Sequence, residues 1–220
     1  METSVLIGLL WEGLLQTLYM TFVSTLIAYV IGLPIGVSLV VTDVNGIRPL
    51  SGYNKVIGFI VNVIRSVPFL ILMIALMPYV RKIIGTGIGT SATVAVLIVA
   101  AAPFVARLVE QSLKEVDPGV IEAAQSLGAS NMTIITKVLL AEARPSLLNG
   151  AAVATITILG YSAMAGVVGG GGLGDLAIKY GMYRYETTIM WITVIVLVVL
   201  VQVIQEIGIK AAFKLDNRLH

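Results

Sequence analysis

Long stretches of continuous apolar residues, broken at a few points by charge, dominate the pattern along the chain. Uncharged runs occupy 13–42, 66–80, 83–106, 145–174 and 187–205. A helix needs roughly 17 to 25 mostly apolar residues to cross a bilayer. Four of the five runs meet that length alone, and the 15-residue run meets it by joining 56–64 across Arg65. The pattern therefore predicts an all-α, polytopic membrane protein with five transmembrane helices, at about 17–41, 56–80, 91–108, 147–168 and 187–209. Continuous rather than alternating runs exclude a β-barrel.

Residues 3–42 make a stretch too long for one upright span, and Glu12, Gly13 and Gln16 interrupt it, so 4–14 read as an interfacial helix ahead of the first span. Gly32 and Gly36 form a GxxxG pair, which suits close helix contact as well as ordinary membrane-helix composition. In the second span, RSVPF at 65–69 puts Pro68 where its missing N–H bends the helix. Beside it, Arg65 is costly in hydrocarbon unless it reaches protein, water or headgroups. The turn formers and charges of TDVNGIRPLSGYNK (42–55) and RKIIGTGIG (81–89) read as loops.

Composition agrees with the pattern: 12% of residues are charged, about half the ~25% usual in soluble domains. With no cysteine, disulfides, thiolate metal sites and thiol catalysis fall away. A net charge of +2 without a dense basic cluster gives no reason for a nucleic-acid partner. Scattered Lys and Arg instead record topology. With the N-terminus outside, Arg48, Lys55, Arg107, Lys114, Lys137, Arg144, Lys210, Lys214 and Arg218 lie inside, against Arg81, Lys82, Lys179 and Arg184 outside. The expected orientation is N-terminus outside and C-terminus cytoplasmic. The acidic start METSVLIGLLWEG lacks the basic region of a signal peptide, and 1–220 reads as one membrane domain with no soluble domain attached.

The one sizeable polar segment, about 110–145, lies on the expected cytoplasmic side. Asp117 suits the cap of a helix begun by Pro118, Gly128 an αL stop, and Ser130 the cap of a second helix through Ile134, Ile135, Val138 and Leu139 to Pro145. Helices this short are unstable alone in water, so Ile121, Ala124, Leu127 and Met132 must pack on membrane helices, on each other or on another protein. The small residues Ala123, Ala124, Gly128 and Ala129 leave a surface that a cleft can approach closely. The hairpin reads as a docking element.

EAAQSLGA at 122–129, followed by an apolar helix, resembles the EAA loop of ABC importer permeases. Glu122, Ala123, Ala124 and Gly128 match that pattern, Val138 stands for its Ile and Leu140 matches, while Ala141 replaces its final Pro. WEGLLQTLYMTFVST, VNVIRSVPFLIL, AAPFVARLVE and GYSAMAGVVGGGGLGDLAIKYG extend the resemblance over nearly the whole chain, to the methionine-type importer permease. That resemblance implies the type I importer fold in a bacterial inner membrane and a homodimer that carries methionine, D- and L-, along a shared path. It implies two ATP-binding cassette subunits that hold ATP and Mg, with no cofactor in this chain, and an extracytoplasmic methionine-binding protein. It makes Glu122, Ala123, Ala124, Leu127, Gly128 and Ala129 the ATPase-docking residues, and puts Tyr161, Ser162, Ala163 and Met164 on the translocation path. Plain helix packing is the alternative for that second group. Met164, an unbranched thioether among small residues, is the candidate gate.

GGGGLG at 169–174 matches a dinucleotide fingerprint by letter, but a long apolar helix rather than a strand precedes it, so it reads as a flexible loop or docking surface. No P-loop sequence occurs, so an ATP-driven machine must take its motor from another chain. Arg107, Glu110 and Lys114 read as a solvated ion pair along one helix face, and His220 as a terminal tail. No catalytic or metal-binding residue is expected: the spans hold no His, Cys, Asp or Glu until Glu206, which counts against an intramembrane enzyme. A secondary transporter fits poorly with five spans lacking internal repeats and ionisable groups. Within the transporter reading, a permease for another amino acid or an osmoprotectant is the runner-up.

Overall fold

The computed structural model describes residues 3–214; Arg218 and His220 lie outside them. The first 39 described residues form one helix, α1 (Thr3–Val41). At 1.5 Å per residue it is roughly 58 Å long, more than the roughly 40–45 Å of a bilayer with its headgroups. The expected separate interfacial helix at 4–14 is thus the first turns of α1. The polar interruption is absorbed on the helix surface, where Gln16 Nε2 donates to Glu12 Oε1 at 3.0 Å, one turn away. Gly13 alone costs only about 1 kcal/mol in a helix interior.

After α1 come α2 (Ser51–Ser66), α3 (Phe69–Ile84) and α4 (Thr90–Lys114). The polar hairpin holds α5 (Pro118–Ser126), α6 (Asn131–Thr133), a π-helical stretch Ile134–Leu139 and α7 (Leu140–Glu142). α8 (Arg144–Ala165) ends in a 3-10 turn, Gly166–Val168, and α9 (Gly172–Leu176) runs into a π-helical turn, Ala177–Met182, before α10 (Thr187–Lys214). No strand occurs among the described residues.

Four described stretches are long and apolar enough to cross a membrane: Ser4–Val41, Thr90–Lys114, Arg144–Met182 and Thr187–Lys214. The pair α2 and α3, bent by 102° at the break between them, makes a fifth if taken as one span. Where one bent helix was expected at 56–80 there are two. Pro68 sits at the break with ψ 135°, outside the helical region, and its ring disfavours helical geometry at Val67. α2 also begins at Ser51, so the loop ends earlier than TDVNGIRPLSGYNK suggests.

α10 buries only Ile189 and Thr193 while Ile195, Val198 and Val199 stand 54–59% exposed. A helix apolar all round finds a solvent for that surface in lipid tails.

The described residues pack into two units. One takes its chain from Met1–Ala28, Val67–Ala101 and Ala154–Gln205, with a core that includes Met20, Met73, Leu97, Ile158 and Leu173, all fully buried. The other takes Tyr29–Ser66, Ala102–Val153 and 206–214, around Leu39, Val105, Val109, Leu113, Ile134 and Leu139. Inside this second unit the GxxxG pair does bring two helices together. A Cβ on Gly32 would lie 2.7 Å from the Ala102 carbonyl oxygen, and one on Gly36 would lie 2.6 Å from that of Ala106, so α1 rests directly on the backbone of α4.

Candidate functional site

The polar hairpin is built by its caps. Asp117 Oδ1 accepts the Gly119 N–H at 2.7 Å and Pro118 opens α5, as the residue types require. At the other end Gly128 has φ +74°. Its N–H donates to Gln125 O at 2.9 Å and the Ala129 N–H to Ala124 O at 3.1 Å, the paired bonds of a Schellman stop. Ser130 Oγ then accepts the Thr133 N–H at 3.2 Å to cap the second helix.

That second helix is not regular. Through Ile134–Leu139 it widens to a π-helix, with the Leu140 N–H donating to Ile135 O. Hydrogen bonds of i to i+5 stack residues five apart, and Ile134 and Leu139 are accordingly both buried. Nothing in the propensities announces the extra residue per turn. With Ala141 in place of Pro the helix continues to Glu142, and the break falls at Ala143. Pro145 lies in the first turn of α8 rather than ending the hairpin, at a position where its missing N–H is not needed.

The predicted docking residues share one open surface. No residue of α5 is buried; Glu122, Ala123 and Gly128 are exposed and Ala124 and Ala129 half-buried. Leu127 is 88% exposed and Met132 68% exposed. These are large apolar side chains on the most polar stretch of the chain, where only a partner would cover them.

The group at 161–164 divides. The Tyr161 ring stacks on Phe69 with centroids 4.6 Å apart and planes at 2°. Met164, one turn away, is 48% exposed. Ser162 points inward, its hydroxyl donating to Leu159 O at 2.7 Å. Ala163 backs onto Gly174, where any Cβ would collide with it. Met164 is thus the exposed member of the four, Tyr161 and Ala163 are half-buried, and Ser162 is buried. Phe69, which stacks on the Tyr161 ring, closes the RSVPF motif, and nothing in that motif's spacing signals the contact.

The glycine segment is neither loose nor a loop throughout. Residues 172–176 are helical and buried, because Gln16 Oε1 accepts the Gly172 N–H at 2.7 Å and Thr17 Oγ1 accepts the Leu173 N–H at 2.9 Å. The flexible-loop reading is corrected: polar residues of α1 tie this backbone down.

The Arg107, Glu110 and Lys114 group also departs from expectation. Glu110 is only 9% exposed; its Oε2 accepts from Arg107 Nη1 at 2.5 Å and its Oε1 from Lys114 Nζ at 2.9 Å. Arg107 Nη2 donates to Gly58 O at 3.0 Å and Asn62 Oδ1 at 2.9 Å on α2. Lys114 Nζ also meets Asp43 Oδ2 at 2.9 Å in the loop after α1. The Lys114 hydrogen bond, then the Val44 N–H, holds the Asp43 carboxyl below the ordinary carboxylate range. Because the folded-state pKa is the lower one, this link contributes fully above the unfolded pKa and is lost as pH falls through the folded value. Among the described residues no three His, Cys, Asp or Glu side chains are placed to share a metal ion.

A family model described as "Binding-protein-dependent transport system inner membrane component" matches residues 32–207. The probable D-methionine transport system permease protein MetI of Vibrio cholerae serotype O1 is 50% identical over 203 residues, 92% of this chain and 90% of that protein. The protein of the same description from Pasteurella multocida is 46% identical over 213 residues, 95% of this chain and 98% of its own length. Among solved structures, a chain of the MetNI methionine ABC transporter in an inward-facing form superposes with a TM-score of 0.96 at 44% identity, over 99% of this chain and 100% of that one.

Proposed function

The chain belongs to the binding-protein-dependent transport system inner membrane components, a multi-pass family, and from that premise we propose that it is the permease subunit of an ATP-driven importer of methionine, D- and L-. The observation that carries the coupling half of this reading is the capped hairpin that holds Leu127 88% exposed. An apolar side chain so presented on a rigid turn suits insertion into the cleft of an ATPase chain. Glu122, Ala123, Ala124, Gly128 and Ala129 form the close-approach surface around it. The names of the relatives support D-methionine, and the superposed structure is that of a methionine transporter.

In this reading two copies of the chain enclose the path, with the N-terminus outside and the C-terminus cytoplasmic. Two ATPase subunits bind ATP and Mg and do the chemistry, and an external binding protein delivers methionine. ATP-driven closure of the ATPase pair pulls on the hairpins and turns the helices between inward- and outward-facing states. Reconstitution with the ATPase in liposomes tests it: ATP-dependent methionine uptake is expected. Uptake without the ATPase, or uptake of a different amino acid in place of methionine, would overturn it.

Met164 is the gate in this proposal. Its exposed side chain lies three residues along α8 from Tyr161, whose ring stacks on Phe69, and an unbranched side chain can fill a narrow passage and swing aside. Met164→Gly is expected to raise passive methionine leak from loaded vesicles by about tenfold, the effect of lowering a barrier by ~1.4 kcal/mol. Unchanged leak with normal transport would remove the assignment.

A further inference from the structure

Asp43, Lys114, Glu110, Arg107 and Asn62 form one continuous chain of charged and polar contacts. It links the loop after α1, the last turns of α4 and the middle of α2. Each oxygen of the Glu110 carboxylate takes a different cation. Arg107 spends its other terminal nitrogen on α2, once on a backbone carbonyl and once on a side chain. Position in the chain matters as much as geometry: Asp117, three residues past Lys114, caps the hairpin. Whatever holds the end of α4 holds the root of the hairpin.

A pair of exposed ions would contribute little and slip easily. Here the shared carboxylate is buried, and removing one partner of a buried ion pair leaves an uncompensated charge, so losing the carboxylate's charge weakens the whole cluster. A short hairpin with no buried residue in its first helix needs such an anchor if a pull on it is to reach the spans instead of bending its root.

We propose that this cluster is the joint that converts hairpin movement into helix movement, with Glu110 and Arg107 as positioning residues for coupling rather than for docking. The proposal rests on the reading of the chain as an ATP-driven permease. Glu110→Gln keeps the shape and removes the charge. In the liposome-reconstituted complex with ATPase and binding protein, the variant is expected to keep binding-protein-stimulated ATP hydrolysis while methionine imported per ATP falls about fivefold or more, within the usual range of coupling between sites. Asp43→Asn, which cuts only the more exposed link, is expected to move the ratio in the same direction by less. An unchanged ratio in both variants would overturn the joint, as would hydrolysis and uptake falling in equal proportion.

A second measurement needs no transport. In the permease alone in nanodiscs, Glu110→Gln is expected to speed amide hydrogen exchange in the loop 42–50 and at the hairpin root, 115–118. Exchange identical to the parent protein would refute the joint even if the importer reading stands. Faster exchange would support it as the anchor of the hairpin even if the substrate proves different.

Discussion

Gly36→Leu is expected to destabilise the protein by about 3 kcal/mol, the upper end of the usual cost of overpacking. The first atom added would lie 2.6 Å from the Ala106 carbonyl oxygen and 2.7 Å from Val109 Cβ, and the remaining three carbons would have to occupy the backbone of α4. Backbone cannot rotate aside as a long side chain can, so α1 and α4 must part. Separating them also exposes the Gly32 contact, one turn earlier, and spreads the loss along the crossing. Gly8→Ala and Gly52→Ala serve as controls, because a Cβ at either position meets nothing within 4 Å. Thermal unfolding in detergent should show a clear fall in midpoint for Gly36→Leu and none for the controls. A midpoint equal to that of the parent would mean that the two helices do not meet at this crossing in the membrane.

Gly128→Asp is expected to leave the permease folded and to cut the amount of ATPase that co-purifies with it by at least about tenfold, equivalent to ~1.4 kcal/mol of binding. The position is left-handed, at φ +74°, and there an L-residue costs roughly 1–2 kcal/mol, less for Asp and Asn than for others. A Cβ meets nothing within 4 Å in this chain, so the intramolecular penalty is small and the damage should fall on the partner. An unpaired charge brought into a docking surface opposes association. Gly128→Asn, with the same backbone demand and no charge, should retain more of the partner. Equal recovery of the ATPase with Gly128→Asp would remove this glycine from the docking surface.

The hairpin was legible from the sequence because its ends are set locally. Asp117, Pro118, Gly128 and Ser130 each act on backbone groups within a few residues, so residue type and spacing suffice to place them. The π-helical stretch at Ile134–Leu139 was not legible, since it answers to burial of two side chains against the rest of the unit. The same holds for 172–176. Its glycines suggested looseness, and only the approach of Gln16 and Thr17, more than 150 residues earlier in the chain, turns that backbone into a buried helix. Tyr161 and Met164 were found as a group with Ser162 and Ala163. A run of four consecutive residues wraps around a helix, so which of them face outward depends on neighbours such as Phe69 and Gly174.

Glu110 marks the boundary most clearly. By spacing it is an i, i+3 and i, i+4 partner on a helix end, which is usually a solvated and energetically minor arrangement. Burial to 9%, with Gly58 and Asn62 on its partner Arg107 and Asp43 on its partner Lys114, contacts that span 45 to 71 residues of chain, makes it something else. Apolar run length, caps and motif spacing are short-range properties, and they determined the class of protein, the number of apolar segments and the capped polar hairpin. The break at Pro68 has a local cause, the ring's exclusion of helical geometry at Val67, but the inward or outward sense of residues 161–164 and the ionic joint were decided only in three dimensions. Each depends on which distant surface a segment meets, and one-dimensional spacing does not encode that meeting.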